Sequence, residues 1–229
     1  MVRVAVTGAT GFIGRHLVAS LVAHGHDVRA VLRTDTTAAE PAGASVVRSA
    51  LDTASLTTAF EHTDVVVHLA GVVAATRASQ FEAANVTATR AVAEACAAVG
   101  ARLVHVSSLA AVGPAPASLP RHEDDEPAPL TPYGRSKLRG EQVVAAVTGL
   151  NWLLIRPAAV YGPGDRAMLP LFRLAGGLML PLVGPPDAAY TFVHVRDVVR
   201  ALEAAVQTPR AHEAIFVGHP RPVTTGELL

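Results

Sequence analysis

Short apolar runs alternate with stretches of helical periodicity along most of the chain. The runs are rich in β-branched residues, which is typical of buried parallel strands. They predict six strands, over residues 2–6, 27–32, 45–48, 64–68, 103–107 and 151–156. Helical spacing predicts four helices, over residues 12–22, 55–60, 81–99 and 133–147. This alternation with short connections predicts a doubly wound α/β fold, in which helices cover both faces of a parallel sheet.

Polar side chains and glycines stand where the predicted strands end. Because ligands of parallel sheets bind at the carboxyl ends of the strands, these positions are candidates for a functional site. They are Gly8, Arg33, His68, Ser107, Ser108 and Arg156.

The first predicted strand leads through a glycine-rich turn into the first helix. Gly8 permits a tight turn, Gly11 lets backbone N–H groups approach a pyrophosphate, and Gly14 allows the helix to pack closely on the strand. The glycines are three residues apart, whereas the commonest dinucleotide fingerprint spaces them two and then three apart. A simple tight connection is the alternative, but the strand before and the helix after favour a phosphate site.

Composition excludes several classes of function. The 229 residues suffice for one core with an appended lobe, and a net charge of zero without a basic stripe argues against nucleic acid binding. Cys96 is the single cysteine, and the ten histidines are scattered, so neither an internal disulfide nor a metal site is expected. The chain begins directly with a strand, and its apolar runs are too short to span a bilayer. These features predict a cytoplasmic protein without metal or membrane partners.

The chain has eighteen arginines but one lysine, Lys137, which lies four residues after Tyr133. Four residues are one helical turn, so the two side chains share a helix face. An ammonium beside a phenol lowers the pKa of the tyrosine, which can then transfer protons near neutral pH. Tyr-x-x-x-Lys alone is a weak motif, and a chance spacing is the alternative.

Several segments, spread in order over almost the whole chain, resemble the extended short-chain dehydrogenase/reductase family of the NAD-dependent epimerase/dehydratase type. They are residues 8–14 (GATGFIG), 68–71 (HLAG), 85–87 (NVT), 106–108 (VSS), 133–137 (YGRSK), 156–164 (RPAAVYGPG) and 192–198 (FVHVRDV). The resemblance implies a Rossmann domain over residues 1–157. A small substrate-binding lobe over 158–229 would return in part to that domain. Family members continue further, so the lobe is either small or truncated. A homodimer through the helices after strands four and five is also implied.

The resemblance implies a catalytic site of three residues. Tyr133 would give a proton to a substrate oxygen or accept one from it, and Lys137 would tune Tyr133 and bind the nicotinamide ribose. Ser108, five residues before Gly113, would hold the substrate oxygen. Ser107 is the alternative one residue away, although local backbone capping is the more expected role for Ser107 than for Ser108.

The resemblance also implies a binding site for NADP or NAD. Leu32 and Arg33 stand where NAD-selective members usually carry an aspartate for the adenosine ribose, and an arginine there favours the 2′-phosphate of NADP. An ordinary exposed charge is the alternative for Arg33. Asp52 would either lie near the adenine or cap the helix at Ser55. The expected cofactor contacts are Gly8, Thr10, Gly11, Phe12, Ile13, Gly14, Arg33, Leu51, Asp52, Leu69, Ala70, Gly71, Asn85, Val106, Tyr133, Lys137, Pro157 and Val160.

Departures from the family pattern narrow the expected reaction. Sugar-nucleotide dehydratases carry acidic residues directly after the strand-five hydroxyl residue, whereas this chain has Leu109 and Ala110, which disfavours dehydration. The acidic residues 123–126 are expected to form a solvated rim, and the apolar residues 168–182 to pack in the core.

Taken with the resemblance, these features lead us to expect an oxidoreductase that interconverts a small-molecule secondary alcohol and a carbonyl. A sugar-nucleotide epimerase with tightly bound NAD and a non-catalytic NADP-binding regulator or assembly subunit are the alternatives.

Overall fold

The computed structural model describes residues 1–116, 119–167, 188–224 and 227. Its strands are β1 (Arg3–Thr7), β2 (Asp27–Arg33), β3 (Ser45–Ser49), β4 (Val65–His68), β5 (Arg102–Val106), β6 (Trp152–Pro157), β7 (Ala159–Tyr161), β8 (Ala189–Tyr190), β9 (Phe192–His194), β10 (Glu213–Val217) and β11 (Val223–Thr224). Its α-helices are α1 (Phe12–Ala23), α2 (Thr53–Ala59), α3 (Ala78–Phe81), α4 (Ala88–Val99), α5 (Pro132–Ala145) and α6 (Val195–Gln207). A π-helical turn, Glu82–Thr87, joins α3 to α4, and a 3-10 turn, Leu109–Ala111, follows β5.

Seven strands form one sheet in the order β10-β6-β5-β4-β1-β2-β3, and every neighbouring pair is parallel. Outside it, β7 pairs in parallel with β9, and β8 pairs antiparallel with β11. The predicted Rossmann-type doubly wound sheet is confirmed. Because the strands are parallel, their carboxyl ends and the loops that follow them meet at one edge of the sheet.

The elements that have strong local patterns are where the sequence predicts them. All six predicted strands agree with the structure to within one residue, and the helices at 12–22, 55–60 and 133–147 to within two. The helix predicted at 81–99 instead begins as α3, passes through the π-helical turn and continues as α4, which ends at Gly100 with a left-handed φ of 72°. Strand β10 and helix α6 are not among the predicted elements.

Two apolar layers cover the sheet. On one face α1 and α6 pack against alternate residues of the strands, such as Val4, Val67 and Val104. On the other face α2, α4 and the end of α5 pack against residues such as Val66 and Leu103. Strands buried on both faces need apolar residues in succession, which explains the near-continuous apolar runs of the sequence.

Part of the chain beyond residue 157 packs on the central sheet. Strand β10 pairs with β6 at the sheet edge, and α6 lies against α1. The division into a Rossmann domain and a lobe at residue 157 stays a prediction. Residues 168–182, for which core packing is predicted, lie outside the described part of the chain.

The turn after β1 brings the start of α1 into very close contact with the backbone. A Cβ on Gly14 would lie 2.1 Å from the carbonyl oxygen of Gly8 and 2.9 Å from the Cα of Ala9. No side chain has room at this position. The predicted role of Gly14, close packing of the helix on the strand, is therefore what the geometry requires.

We expect Gly14→Ala to lower the free energy of unfolding by at least about 2 kcal/mol, because the added methyl group overpacks this contact. Replacing glycine by alanine within an uncrowded helix would instead stabilise the protein by about 1 kcal/mol. Urea denaturation measures the change in the free energy of unfolding, and the sign of that change distinguishes the two cases. An increase in stability would show that α1 can shift away from the turn.

Candidate active site

The glycine turn at the end of β1 has the geometry of an anion site. Gly8 has a φ of 71°, and the Gly11 N–H donates to the Gly8 carbonyl at 3.0 Å. Gly11 is the N-cap of α1 and provides no side-chain cap. The first N–H groups of a helix lack partners within the helix, so here they remain available to a bound phosphate.

The loop after β4 packs directly on this turn. A Cβ on Gly8 would lie 2.7 Å from the backbone nitrogen of Ala70 and 2.8 Å from the carbonyl carbon of Leu69. Three of the predicted cofactor-binding positions therefore lie together. The contact requires the strand order of the sheet, in which β4 lies next to β1 although sixty residues separate them.

Asn85, in the π-helical turn, fastens the loop after β4 to helix α5. Its Oδ1 accepts from the Val72 N–H at 2.9 Å, and its Nδ2 donates to the Val72 carbonyl and to Ser136 Oγ, both at 2.9 Å. Ser136 Oγ in turn donates to the Tyr133 carbonyl at 2.7 Å. Asn85 is 1% exposed, and its amide is engaged within the protein. Its predicted contact with the cofactor stays a prediction, whereas its role as a clamp was missed.

Helix α5 carries Tyr133 and Lys137 and is fixed by its cap and by two close backbone contacts. Thr131 Oγ1 accepts from the Gly134 N–H at 2.9 Å, and a proline occupies the first helical position. A Cβ on Gly134 would lie 2.2 Å from the Ala110 carbonyl oxygen, and one on Gly140 would lie 2.5 Å from that of Asn85. The two glycines let α5 approach the loop after β5 and the π-helical turn, which places Tyr133 beside Ser108.

The Tyr133 phenol and the Ser108 hydroxyl lie close enough to interact. Burial raises the pKa of Tyr133, and the interaction with the Ser108 side chain lowers it by a smaller amount. The expectation that Lys137 lowers the pKa of Tyr133 is not met in this structure. Burial has the larger effect on the pKa of this phenol, whose ring centroid lies 6.3 Å from that of Phe81.

Lys137 is buried, with 5% of its surface exposed, and its Nζ donates to the Val106 carbonyl at 2.8 Å. Burial lowers the pKa of Lys137 to about 8, although the nearby Glu141 carboxylate opposes the shift. The lysine therefore titrates near physiological pH, far below its ordinary range. An ammonium with three donors that gives one of them to Val106 retains donors for other groups.

The capping roles of the two serines after β5 are the reverse of the expected ones. Ser108 Oγ accepts from the Ala110 N–H at 3.2 Å and caps the 3-10 turn, whereas Ser107 Oγ is buried and has no partner among the described residues. Assigning the capping role to Ser107 was therefore wrong. The Ser108 hydroxyl is thus held by its cap bond on the side of the site where Tyr133 lies.

Two buried histidines lie beneath this site on neighbouring strands. His68 and His105 are paired in register on β4 and β5, and their rings stack with centroids 5.3 Å apart. His68 hydrogen-bonds Thr7 Oγ1 at 2.6 Å and Thr89 Oγ1 at 3.2 Å. Burial lowers the pKa of His68 to about 3 and that of His105 well below its ordinary value, with Lys137 contributing to both. Both imidazoles are therefore neutral at physiological pH.

A buried ion pair that is not among the predicted site residues lies next to Lys137. Arg156 donates from Nε to Glu141 Oε1 at 3.0 Å and from a terminal nitrogen to Oε2 at 2.7 Å. The two side chains are 7% and 4% exposed. The available signal was the spacing of Glu141 one further helical turn after Lys137, together with Arg156 at a strand end.

The remaining predicted cofactor positions are spread along the same sheet edge. Arg33 is exposed at the end of β2 with its Nε 3.4 Å from Asp35 Oδ1. Asp52 caps α2, because its two carboxylate oxygens accept from the Ser55 N–H and hydroxyl, both at 2.9 Å, and these bonds lower its pKa. Pro157 ends β6 and Val160 lies in β7.

The acidic loop is not purely a solvated rim. Glu123 Oε1 accepts from the Phe216 N–H at 3.1 Å, which ties this loop to β10. Within the described ranges, no three His, Cys, Asp or Glu side chains form a group that could hold a metal ion. In the same ranges, no helix combines the length and apolar character needed to cross a membrane.

Comparison with known proteins relates the chain to a family whose description names NAD. The model of the NAD dependent epimerase/dehydratase family matches residues 4–218. A ceramide reductase of Caulobacter vibrioides is 36% identical over 90% of this chain, and a dTDP-6-deoxy-L-talose 4-dehydrogenase (NAD(P)(+)) of Kitasatospora kifunensis is 35% identical over 94%. The chain spans 61% of the length of the first relative and 73% of the second.

Solved structures share the whole described fold. The structure of MoeE5 in complex with UDP-glucuronic acid and NAD superposes with a TM-score of 0.86 at 33% identity, covering 99% of this chain and 79% of that one. A UDP-N-acetylglucosamine 4-epimerase from Bacillus cereus gives a TM-score of 0.86 at 25% identity, covering 100% and 81%. With the family model matched from β1 to the end of β10, the chain belongs to the NAD-dependent epimerase/dehydratase family.

Proposed function

We propose that this chain binds NADP or NAD and catalyses hydride transfer between a secondary alcohol and a carbonyl. One observation supports this most directly. The Tyr133 phenol lies close enough to the Ser108 side chain for Ser108 to lower its pKa, at the sheet edge that carries the glycine turn, and the single lysine of the chain is buried one helical turn away. Such a cluster has the donors and the proton-transfer group that a carbonyl oxygen needs.

The cofactor site proposed here fits the residues present. The pyrophosphate would lie against the free N–H groups at the start of α1, where Gly8 and Gly11 leave no side chain in the way. Lys137 and Tyr133 would contact the nicotinamide ribose, and Arg33 would meet a 2′-phosphate. When bound, the nicotinamide supplies or takes up the hydride.

The protein side of the reaction then follows from the positions of three groups. The Ser108 hydroxyl would hold the substrate oxygen next to the Tyr133 phenol. In reduction the phenol would give its proton to that oxygen, and in oxidation the resulting phenolate would take a proton back. The Lys137 ammonium would stabilise the phenolate once the substrate and cofactor complete the site, because opposite charges favour each other strongly where water is excluded.

One other function could use this site. An epimerase would use the same groups with NAD that stays bound, and the similarity to a UDP-N-acetylglucosamine 4-epimerase supports this second candidate. Dehydration is disfavoured, because Leu109 and Ala110 follow Ser108 where an additional acid and base would be needed. A panel of ketones and aldehydes tested for NADPH oxidation, with a check for copurifying NAD, distinguishes reductase from epimerase.

We also propose a cytoplasmic homodimer formed through α4 and α5.

The first prediction from this proposal concerns catalysis. Tyr133→Phe should remove nearly all turnover and leave cofactor affinity almost unchanged, because only the proton-transferring oxygen is lost. Lys137→Arg keeps the charge but should lower kcat/KM at least about tenfold, since the guanidinium is bulkier and directs its donors differently. Tyr190→Phe, on the exposed strand β8, is the matched control. Wild-type rates in both site variants would favour the non-catalytic binding protein instead.

A second prediction concerns cofactor preference. We expect NADPH to bind several-fold tighter than NADH, and Arg33→Ala to narrow the difference by about 1–3 kcal/mol. Asp35→Asn should widen it, because Arg33 would no longer be shared with a carboxylate 3.4 Å away. Calorimetric titration with both cofactors measures this, with the exposed Arg90→Ala as the control. Equal affinities of the wild type for NADPH and NADH would refute the role of Arg33.

A third prediction concerns the stability cost of the buried ammonium. The folded protein holds the pKa of Lys137 near 8, below its ordinary value of 10.5, so the unfolded chain binds the extra proton at intermediate pH. Stability should therefore rise as pH increases from about 8 to 10.5, by roughly 2–3 kcal/mol relative to Lys137→Met. Urea denaturation of both proteins across this range tests it. Parallel profiles would show that Lys137 is solvated.

A further inference from the structure

The ion pair of Glu141 and Arg156 is buried where most proteins place apolar residues. Glu141 lies on α5 and Arg156 on β6, and the carboxylate accepts two hydrogen bonds from the guanidinium in a bidentate arrangement. Burying two charges costs several kcal/mol, which their attraction offsets only with good geometry. A pair of this kind is weak as a source of stability, so its position calls for another explanation.

The pair lies beside the lysine of the proposed active site. Glu141 follows Lys137 by four residues, so both side chains project from the same face of α5. Lys137 donates to the carbonyl of Val106 on β5, and Val106 is in register with Ile155, the residue before Arg156 on β6. The ammonium, the carboxylate and the guanidinium are therefore held by one helix and two neighbouring strands.

Other titratable groups near Lys137 do not provide a negative charge. His68 on β4 and His105 on β5 face it as neutral imidazoles, and Tyr133 lies on α5 as a neutral phenol. Glu141 is the carboxylate that raises the pKa of Lys137 against the effect of burial. Without it, an ammonium buried this deeply would lose its proton more readily.

We propose that Glu141 is a positioning residue whose carboxylate, fixed by Arg156, keeps Lys137 protonated beside Tyr133 without forming an ion pair with it. Arg156 donates to both oxygens of Glu141, and within the described part of the chain Lys137 Nζ donates to Val106 and makes no hydrogen bond or ion pair with that carboxylate, so Glu141 acts on Lys137 through its charge. Lys137 then keeps its hydrogen bond to Val106 and its remaining donors. The value of this arrangement for catalysis rests on the proposed function.

Removing Glu141 and removing Arg156 should shift the pKa of Lys137 in opposite directions. Glu141→Gln removes the negative charge and should lower the pKa of Lys137 by at least about 1 unit. Arg156→Met frees the carboxylate to interact with Lys137 and should raise that pKa. A pair that only supported the fold would give the same direction of change, or none, in both variants.

The titration of Lys137 can be observed directly, because the chain contains one lysine. Protein labelled with ¹³C and ¹⁵N in lysine gives a single side-chain signal, which is followed by NMR over pH 5–11, a range of about 3 units on either side of the expected midpoint. No substrate is needed. Glu82→Gln is the matched control, since it breaks an ion pair that α5 makes through Arg139 on its exposed side.

Each single substitution leaves an unpaired buried charge, which can prevent folding. A double variant therefore provides a second test. The double variant Glu141→Gln with Arg156→Met has no such charge, and its Lys137 should still titrate below the wild type. A folded Glu141→Gln or double variant in which Lys137 titrates as in the wild type would overturn the proposal.

Measurements of activity distinguish a failure of this inference from a failure of the proposed function. If both hold, the pH dependence of kcat/KM that is assigned to Lys137 moves together with the NMR titration. Glu141→Asp, which keeps a carboxylate, should return the pKa of Lys137 most of the way to its wild-type value. If Tyr133→Phe retains full turnover while the Lys137 titration still responds to Glu141, the electrostatic effect stands and the catalytic proposal fails.

Discussion

Every strand of the central sheet pairs in parallel with its neighbours, so the chain must cross the sheet between consecutive strands. The crossovers place all carboxyl ends at one edge, and there the loops after β1, β4 and β5 crowd together. Glycines make this crowding possible. Gly14 admits α1 to the turn after β1, and Gly134 and Gly140 admit α5 to the loop after β5 and to the π-helical turn. The site exists because these backbones approach to distances that exclude side chains.

Polar groups buried by this packing are used to hold the elements in place. Asn85 joins the loop after β4 to α5, His68 joins β1 to α4 through two threonines, and Glu141 joins α5 to β6 through Arg156. A buried polar group is costly unless it is paired, so such connections allow few alternative arrangements. The same low dielectric makes the protonation of Lys137 sensitive to its neighbours.

Relatives of this chain carry names that refer to ceramide, to dTDP-linked sugars and to UDP-linked sugars. The solved structures among them share the fold of this chain, with TM-scores of 0.86. A common fold therefore accompanies different substrates, as expected when specificity arises from parts grafted onto a shared scaffold. For this chain the family is established by the match over residues 4–218.

The sequence by itself determined the parallel sheet, most element boundaries and the candidate residues, because apolar periodicity and glycine spacing are local signals that survive in any context. It did not reveal the break in the helix at 81–99, the amide clamp of Asn85, the capping role of Ser108 or the Glu141–Arg156 pair. It also predicted a lowered pKa for Tyr133, which burial raises. These features depend on which residues, distant in sequence, share a buried space, and only tertiary packing decides that.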